Sequence, residues 1–389
     1  FPGQYGAPDG SFNPVLFGAA ALVVFSLVAQ IGEQVDFLRF LPRQRAGRKL
    51  AWWASLLAAG PGWIILGAGK LLLGSFLAVL ALDNGVSAEH AVEPTQMYRV
   101  AFQYMVSSPE IAIALTGIFV ILSQIKINVT NAYAGSIAWS NFFSRLTHSH
   151  PGRVVWLVFN VLIALMLMEF GVFAALEHTL GLYSHVAVAW IGAIVADLIV
   201  NKPLGLSPAG IEFRRAQLYD INPVGVGAML IATALALLAH LGMLGETARA
   251  LSVFLALGCA FVASPLIAWA TRGRYYIARP APELEPAAAT HTCCICEYEF
   301  DAEDMSHCPF YQGKICSLCC SLDARCQDAC KPHATIPAQT VHLIDRFLPE
   351  RAAAALKSKY GFFVCLLVGL MGFVALSLIF IYQQVAPPY

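Results

Sequence analysis

Nine of the eleven cysteines of this chain lie between Cys293 and Cys330. Within that stretch Cys293/Cys296 and Cys316/Cys319 form two CxxC pairs separated by 19 residues, a spacing typical of tetrahedral zinc sites. A CxxC turn brings both sulfur atoms toward one ion, and two such turns supply four thiolate ligands. The pattern therefore predicts a metal site, which in so short a segment would replace a hydrophobic core.

The remaining cysteines of the stretch predict a second site in an interleaved arrangement. Its candidate ligands are Cys308, Cys326 and Cys330 with Cys320, His307 or His333. Zinc is the first interpretation for both sites. An iron–sulfur cluster, which would make the segment a redox or oxygen sensor, and redox-active thiols without metal remain open, although the ferredoxin run CxxCxxCxxxCP is absent. An HxE motif is missing as well, so the segment does not resemble a catalytic zinc site.

The rest of the chain is strongly apolar. Of its 389 residues 58% are hydrophobic and only 12% are charged, which excludes an ordinary soluble globular protein of this size. The formal net charge of zero argues against nucleic acid as a partner. Apolar runs of spanning length predict transmembrane helices at 14–32, 52–81, 111–140, 154–174, 180–200, 223–244, 250–270 and 360–382. The predicted fold is an all-α membrane protein in the lipid bilayer, with a small Cys-rich module.

Two of these spans carry signals for a break. Gly60-Pro61-Gly62 predicts a kink in the second span. The polar stretch 123–131 predicts an interruption of the third, where non-helical backbone must be buried in protein or line a cavity. Cys259 and Cys365 lie inside apolar runs and are interpreted as packing residues. Both ends of the chain look cut, so we expect a fragment of a longer protein.

Basic residues are unevenly distributed between the loops. The loops after the first, third, fifth and seventh spans hold thirteen Arg and Lys residues, whereas the alternate loops hold only Arg99 and Arg249. By the positive-inside rule, the first set of loops faces the cytoplasm. The Cys-rich module follows the seventh span and is therefore predicted to be cytosolic, where metal binding is favoured over disulfides.

Three segments resemble the nucleobase–cation symporter family, the cytosine, purine and hydantoin permeases with five-plus-five inverted repeats. Residues 33–40 (EQVDFLRF) are similar to the signature that closes the family's sixth helix. Residues 128–135 (NVTNAYAG) are similar to its eighth helix, and residues 214–227 (RRAQLYDINPVGVG) to the basic loop before its eleventh. The resemblance implies that the first seven spans are the second half of such a permease, corresponding to helices six to twelve.

In that family the substrate and sodium bind near the membrane midplane at broken helices. The resemblance implies substrate-binding candidates at Ser26, Gln30, Glu33, Ser123, Gln124, Asn128, Thr130 and Asn131. Their amide and hydroxyl groups suit the polar edge of a nucleobase. The alternative is that they only form interhelical hydrogen bonds.

Lys126 departs from the family pattern, because a charge at this depth is costly and often functional. We hypothesise that its ammonium group substitutes for the coupling cation. The alternative is that it snorkels or pairs with Glu33, Glu169 or Asp197.

The amino-acid sequence of residues 293–330 resembles a segment of large bacterial hybrid sensor histidine kinases, in which a permease-like domain precedes the kinase. The resemblance implies an input region in a bacterial inner (cytoplasmic) membrane, with a kinase output elsewhere in the same full-length chain. The 389 residues of the sequence contain no phosphoacceptor helix, ATP-binding box or other catalytic motif. The alternatives are a cation-coupled nucleobase transporter with a metal-binding regulatory tail, and a structural membrane anchor.

The predicted organisation has five parts. They are a permease-like transmembrane domain (1–278), a Pro/Ala-rich linker (279–290), the Cys-rich module (291–335), an amphipathic connector (336–359) and a last transmembrane helix (360–382).

Overall fold

The structure is a computed structural model that describes residues 12–33, 41–42, 44–45, 47–88, 90–147, 151–169, 173–280, 290–322, 324–361, 363–365, 367–372 and 375. The helices in chain order are α1 (Pro14–Ser26), α2 (Lys49–Ala59), α3 (Trp63–Asp83), α4 (Pro94–Met105), α5 (Pro109–Thr147), α6 (Arg153–Glu169), α7 (Phe173–Ala196), α8 (Pro223–His240), α9 (Glu246–Ala250), α10 (Ser252–Thr271), α11 (Ser317–Leu322), α12 (Ile336–Phe347) and α13 (Glu350–Lys357). Four short strands follow α10: β1 (Thr290–Thr292), β2 (Glu299–Asp301), β3 (Met305–Cys308) and β4 (Gly313–Cys316).

The chain forms two compact units. The first unit comprises Phe1–Ala29, Trp139–Gly152 and Leu162–Tyr389, and the second comprises Gln30–Ala138 and Arg153–Val161. Among the described residues, the helices long and apolar enough to cross a membrane are Pro14–Gly32, Lys49–Asp83, Pro109–Ser144, Gly181–Asn201, Pro223–His240 and Ser252–Thr271. The prediction of a helical, multi-pass membrane protein is therefore confirmed in this general form, whereas the four short strands of the Cys-rich module were not predicted.

The predicted break in the second span is confirmed. Helix α2 ends at Ala59 and α3 begins at Trp63. Pro61 has no N–H group with which to continue the helical ladder, and its ring clashes with the preceding turn. Gly60 instead donates its N–H to the carbonyl of Leu56 at 2.8 Å, and so closes α2.

The predicted interruption of the third span is wrong, because α5 is continuous through residues 123–131. The polar side chains there are accommodated by the helix itself. The Ser123 hydroxyl donates to the Val120 carbonyl at 2.9 Å, and the Thr130 hydroxyl donates to the Lys126 carbonyl at 2.9 Å. No Gly or Pro lies between residues 118 and 134, so nothing in the sequence forces the helix to break.

The described residues also do not yield eight spans. In the fourth predicted span the apolar helix covers only Arg153–Met166, about 21 Å at 1.5 Å per residue against a hydrocarbon core of about 30 Å. Residues 170–172 lie outside the described part. The last predicted span lies partly outside it, and its described portion forms with α13 a helix pair bent by 72°. A seventh span results only if that pair is counted as one.

The amphipathic connector predicted at 336–359 consists of two helices, α12 and α13. Pro349 separates α12 from α13. The residue before a proline is disfavoured in the helical region, and Leu348 is accordingly extended, with φ −112° and ψ 144°.

The core of the first unit is a seam of small side chains between α7, α8 and α10. The buried residues in it are Val188, Ala189, Ala193, Ala228, Ala232, Ala236, Val253, Ala256, Ala260 and Ala263. The alanines of α8 recur every fourth residue, so they share one helix face. A Cβ on Gly192 of α7 would lie 3.1 Å from the Cβ of Ala260. Small residues at this spacing allow close backbone approach, which is how helices associate in membranes.

Candidate metal centre

Two antiparallel hairpins position the first four cysteines. In the β1–β2 hairpin Thr292 pairs with Glu299, and the loop between the strands carries Cys293 and Cys296. In the β3–β4 hairpin Met305 pairs with Cys316, the last residue of β4. Helix α11 begins at the next residue, so the second CxxC extends from a strand end into the first helical turn.

The thiols of Cys293, Cys296, Cys316 and Cys319 form one group. Their sulfur atoms all lie within 4.8 Å of one another, and the sulfurs of Cys296 and Cys316 are 4.0 Å apart. A tetrahedral ion with Zn–S bonds of about 2.3 Å requires sulfur–sulfur distances of about 3.8 Å. Half of the eight predicted cysteine ligands are therefore gathered at a separation that fits a single thiophilic ion.

The backbone around this group favours thiolates. Amide N–H groups of Ile295 and Cys316 lie 3.5 and 3.4 Å from the sulfur of Cys293, and the N–H of Cys319 lies 3.3 Å from the sulfur of Cys316. Burial opposes ionisation of Cys293, but N–H groups of Cys296, Cys316 and Ile295 outweigh it and lower its pKa to about 6. Burial, reinforced by the neighbouring thiols, raises the pKa of Cys319. Because zinc binds thiolates, metal binding would release the protons of those thiols that still carry one.

All eleven cysteines are free thiols, so no disulfide competes with metal binding. The arrangement is also closed: each corner of the tetrahedron is a protein sulfur, which leaves no position for a water or substrate. The Cys-rich prediction is therefore confirmed as far as a four-thiol group, while the identity of the metal is not fixed by the geometry.

The other four predicted ligands lie in the same module but are not gathered as closely. Cys308 is buried in the module's core, and Cys320 and Cys326 pack against that core. Burial, reinforced by the nearby Cys330 and Cys326, raises the pKa of Cys320 to about 12. Within the part of the chain described, only the first group brings its sulfur atoms within 4.8 Å.

The two histidine candidates do not join these thiols. His307 is exposed on β3, where the next residue, Cys308, is buried. The ring of His333 lies with its Nε2 3.1 Å from the carbonyl of Ala278. Cys320 is therefore the better fourth member of a second set.

The module docks on the loop between α7 and α8 through two buried ion pairs. Arg215 and Asp328 are joined at 2.7 Å, with side chains only 4% and 5% exposed. Lys331 and Asp220 are also joined at 2.7 Å, with side chains 1% and 10% exposed. Buried charges of this kind are tolerated only when they are paired and hydrogen-bonded.

Hydrogen bonds complete this docking surface, which we define as residues 212–222 of the loop. The Ser306 hydroxyl donates to the Gln217 side chain at 3.1 Å, and Arg214 donates to the Met305 carbonyl at 3.1 Å. The Asp220 N–H donates to the carbonyl of Ala334 at 3.0 Å. The loop between α7 and α8 is thus the binding surface for the Cys-rich module.

A cavity of about 410 Å³ lies beside the docking surface, where α7 ends in a π-helical turn, Asp197–Asn201. The Asp197 carboxylate accepts hydrogen bonds from the Tyr276 hydroxyl at 2.5 Å and the Asn201 amide at 3.0 Å. Ser264 and Asp220 also line the cavity. Because Asp220 contacts both this cavity and Lys331, the cavity and the module share a side chain.

The predicted substrate-binding residues are distributed over three elements. Ser26 is buried in α1 and donates to the Val23 carbonyl at 2.7 Å. Gln30 is exposed in the short helical turn Val28–Glu33. Glu33 is the last residue of this turn, and its side chain lies outside the described part. On α5 two candidates are half-buried, Ser123 and Thr130, and three are exposed, Gln124, Asn128 and Asn131. Their role in binding stays a prediction.

Lys126 is exposed on α5. Asp197, one of its proposed partners, has the ammonium group of Lys202 at 4.0 Å instead. The cation-substitute hypothesis for Lys126 also stays a prediction.

Comparison with known proteins gives no match to a family model, to a curated protein or to a solved structure.

Sequence reasoning missed the docking surface. Its signal is present in retrospect, since Arg215 and Asp220 lie in one segment while Asp328 and Lys331 lie in the other. The partners are 113 and 111 residues apart, and a single sequence does not indicate which opposite charges meet.

Proposed function

We propose that this chain is the membrane-embedded input region of a signal-transduction protein, in which the state of the four-thiol site is relayed to the membrane helices. The observation that carries this proposal is the pair of buried ion pairs, Arg215–Asp328 and Lys331–Asp220. A metal module that served only as an appended tail would not need charged groups buried against the loop between two spans.

The metal that best suits the first site is zinc. Four thiolates at tetrahedral separation bind zinc strongly, and a closed set of this kind is structural and not catalytic. Zinc would supply the folding free energy that two short hairpins lack, because such modules are commonly unfolded without their ion. Cys293, Cys296, Cys316 and Cys319 would hold it.

The relay would run through the docking surface into α8. The side chain of Asn222 accepts a hydrogen bond from the Val224 N–H at 2.9 Å and caps the helix, which begins at Pro223. Asp220, two residues before this cap, accepts from the Ile336 N–H at 3.0 Å and pairs with Lys331. Loss of the ion would loosen the module, and the contacts that hold the start of α8 would loosen with it.

The orientation and the output complete the proposal. The excess of basic residues in alternate loops supports a cytoplasmic module in a bacterial inner membrane. The sequence resemblance of the Cys-rich segment to sensor histidine kinases supports a histidine kinase output in the same full-length protein. A permease-like core would then sense or carry a small solute, such as a nucleobase.

Hydrogen exchange on the full chain in lipid nanodiscs tests the relay. Removing zinc with a chelator is expected to accelerate amide exchange in residues 214–226 as well as in the module, and Cys316→Ser should reproduce this without chelator. Cys365→Ser changes an exposed cysteine outside the module and should behave as wild type. Faster exchange confined to the module, with residues 214–226 unaffected, would contradict the proposed relay.

A transporter is the second candidate, and the cavity at the end of α7 favours it. The Asp197 carboxylate and the Ser264 and Tyr276 side chains form a polar lining at the edge of the membrane helices, and ionisable groups at such positions are often functional. Uptake of labelled nucleobase by proteoliposomes tests this function. Uptake that is lost in Asp197→Asn but retained in Cys316→Ser would make transport the better account.

A further inference from the structure

We propose that Cys308, Cys320, Cys326 and Cys330 form a second zinc site, adjacent to the docking surface. This inference goes beyond the relay, because it assigns an ion to the part of the module that contacts the membrane domain. It rests on placement, on an unpartnered buried donor and on charge.

The elements bring the four cysteines to one side of the module. Cys308 ends β3, and Cys326 ends the turn Ala324–Cys326. Cys320 follows Cys319 on α11, and successive residues of a helix point about 100° apart. Cys319 therefore joins the first site, whereas Cys320, about 100° further around the helix, lies near Cys326 and Cys330.

The backbone between Cys326 and Cys330 folds back on itself. The Ala329 N–H donates to the Cys326 carbonyl at 3.0 Å. Gln327 and Asp328 adopt positive φ angles of 46° and 56°, which is uncommon for residues other than glycine. This compact turn supplies two thiols from one short segment, as a CxxC turn does in the first site.

Arg215 provides an independent observation. Its terminal nitrogens donate to the Ser321 carbonyl at 3.4 Å and to the Asp328 carboxylate at 2.7 Å. Its Nε–H is buried and has no hydrogen-bond partner among the described residues, although a buried unpaired donor is costly. Ser321 is adjacent to Cys320 and Asp328 lies between Cys326 and Cys330, so this unpaired donor lies beside the segments that carry three of the four cysteines. A metal-bound thiolate is a far better acceptor than a neutral thiol, and N–H donors of this kind tune such sites.

The surrounding charge suits an anionic centre. A zinc ion with four thiolates carries a formal charge of about −2, which is unfavourable in a buried place unless cations lie nearby. Arg215, Arg279 and Lys331 lie around the set. Arg279 donates to the His307 carbonyl at 3.1 Å, one residue from Cys308.

The four sulfurs are not gathered within the 4.8 Å of the first group, as far as the described residues extend. Binding therefore requires the Cys326–Cys330 turn to close toward Cys308. This closure would fix the turn that carries Asp328 and precedes Lys331, so the second ion would hold in place the residues that pair with the docking surface.

Metal content of the full chain in nanodiscs tests the second site. Wild type is expected to contain about two zinc ions per chain, measured by mass spectrometry of the metal. Cys308→Ser and Cys330→Ser should each reduce this to about one, and two variants guard against one that fails to fold. Cys294→Ser changes an exposed thiol beside the first site and should leave the content unchanged. In a cobalt titration, the thiolate-to-cobalt absorption of wild type should be about twice that of Cys308→Ser or Cys330→Ser.

A wild-type content of one zinc that Cys308→Ser and Cys330→Ser leave unaltered would overturn the second site. A disulfide between Cys326 and Cys330 in freshly purified protein, found by intact mass and thiol counting, would overturn it as well. Neither outcome bears on the proposed relay from the first site. That relay is tested separately, by the amide exchange of residues 214–226 in Cys316→Ser.

Discussion

Asp328→Asn isolates the ion pair between the module and the loop. The substitution keeps the shape of the side chain but leaves the Arg215 charge at a place where its side chain is only 4% exposed. Removing one partner of a buried pair destabilises by about 3–5 kcal/mol. We expect the lower end of this range, because Arg215 keeps its bond to the Ser321 carbonyl and the new amide oxygen still accepts a hydrogen bond.

The assay is hydrogen exchange at the two amides that join the loop to the module. The Asp220 N–H donates to Ala334 and the Ile336 N–H donates to Asp220, so both exchange only when docking opens. A loss of about 3 kcal/mol corresponds to roughly 10²-fold faster exchange at these amides. Amides of the α8–α10 seam should be unchanged.

Asp345→Asn is the matched control, since it removes the same charge from an ion pair with Lys357 in which Asp345 is 49% exposed. Exposed pairs contribute about 0–1 kcal/mol, and exchange at the docking amides should not change. The double variant Arg215→Met/Asp328→Asn removes both charges and keeps at position 328, where φ is 56°, a residue that tolerates this conformation. It should restore much of the protection, because no buried charge is left unpaired. If the Asp220 and Ile336 amides exchange no faster in Asp328→Asn than in Asp345→Asn, the Arg215–Asp328 ion pair does not hold the module on the loop.

Two further predictions concern the seam and the loop. Ala232→Leu inserts a larger side chain at a fully buried position of α8 and should destabilise by about 1–3 kcal/mol, seen as a lower unfolding temperature in detergent; Leu230→Met on the exposed face should not. Burial opposes ionisation of Glu212, but hydrogen bonds from Arg214 outweigh it and lower the pKa below 4.5. Because a lowered carboxylate pKa stabilises the folded state above the unfolded value, this contribution should be complete above pH 4.5 and lost as pH falls through the lower folded value. Comparing docking exchange in wild type and Glu212→Gln checks it, and an acid transition identical in both would refute it.

The sequence predicts best those features that local chemistry determines. Two CxxC turns fix the ligands of the first site, because the turn brings its own sulfurs together whatever surrounds it. Apolar length against membrane thickness identifies most of the spans. Pro61 breaks the second span because a proline removes a donor in any helix.

Features that depend on context were not predictable in this way. The polar residues of 123–131 suggested a break, but Ser123 and Thr130 satisfy their hydroxyls on the same helix. The two hairpins of the module are too short to give a strand signal. The docking surface depends on contacts between segments more than 80 residues apart, such as Ser306 with Gln217 at a separation of 89.

The separation of Arg215 from Asp328 also sets an order of events during synthesis. The two residues are 113 positions apart, so at 5–20 residues per second the ribosome adds Asp328 roughly 6–23 s after Arg215. Helices α8 and α10 are therefore made and available for insertion while the loop before them still holds its charges in water. The membrane domain must reach the bilayer without its docking partner, and the module arrives afterwards on a surface that is already in place.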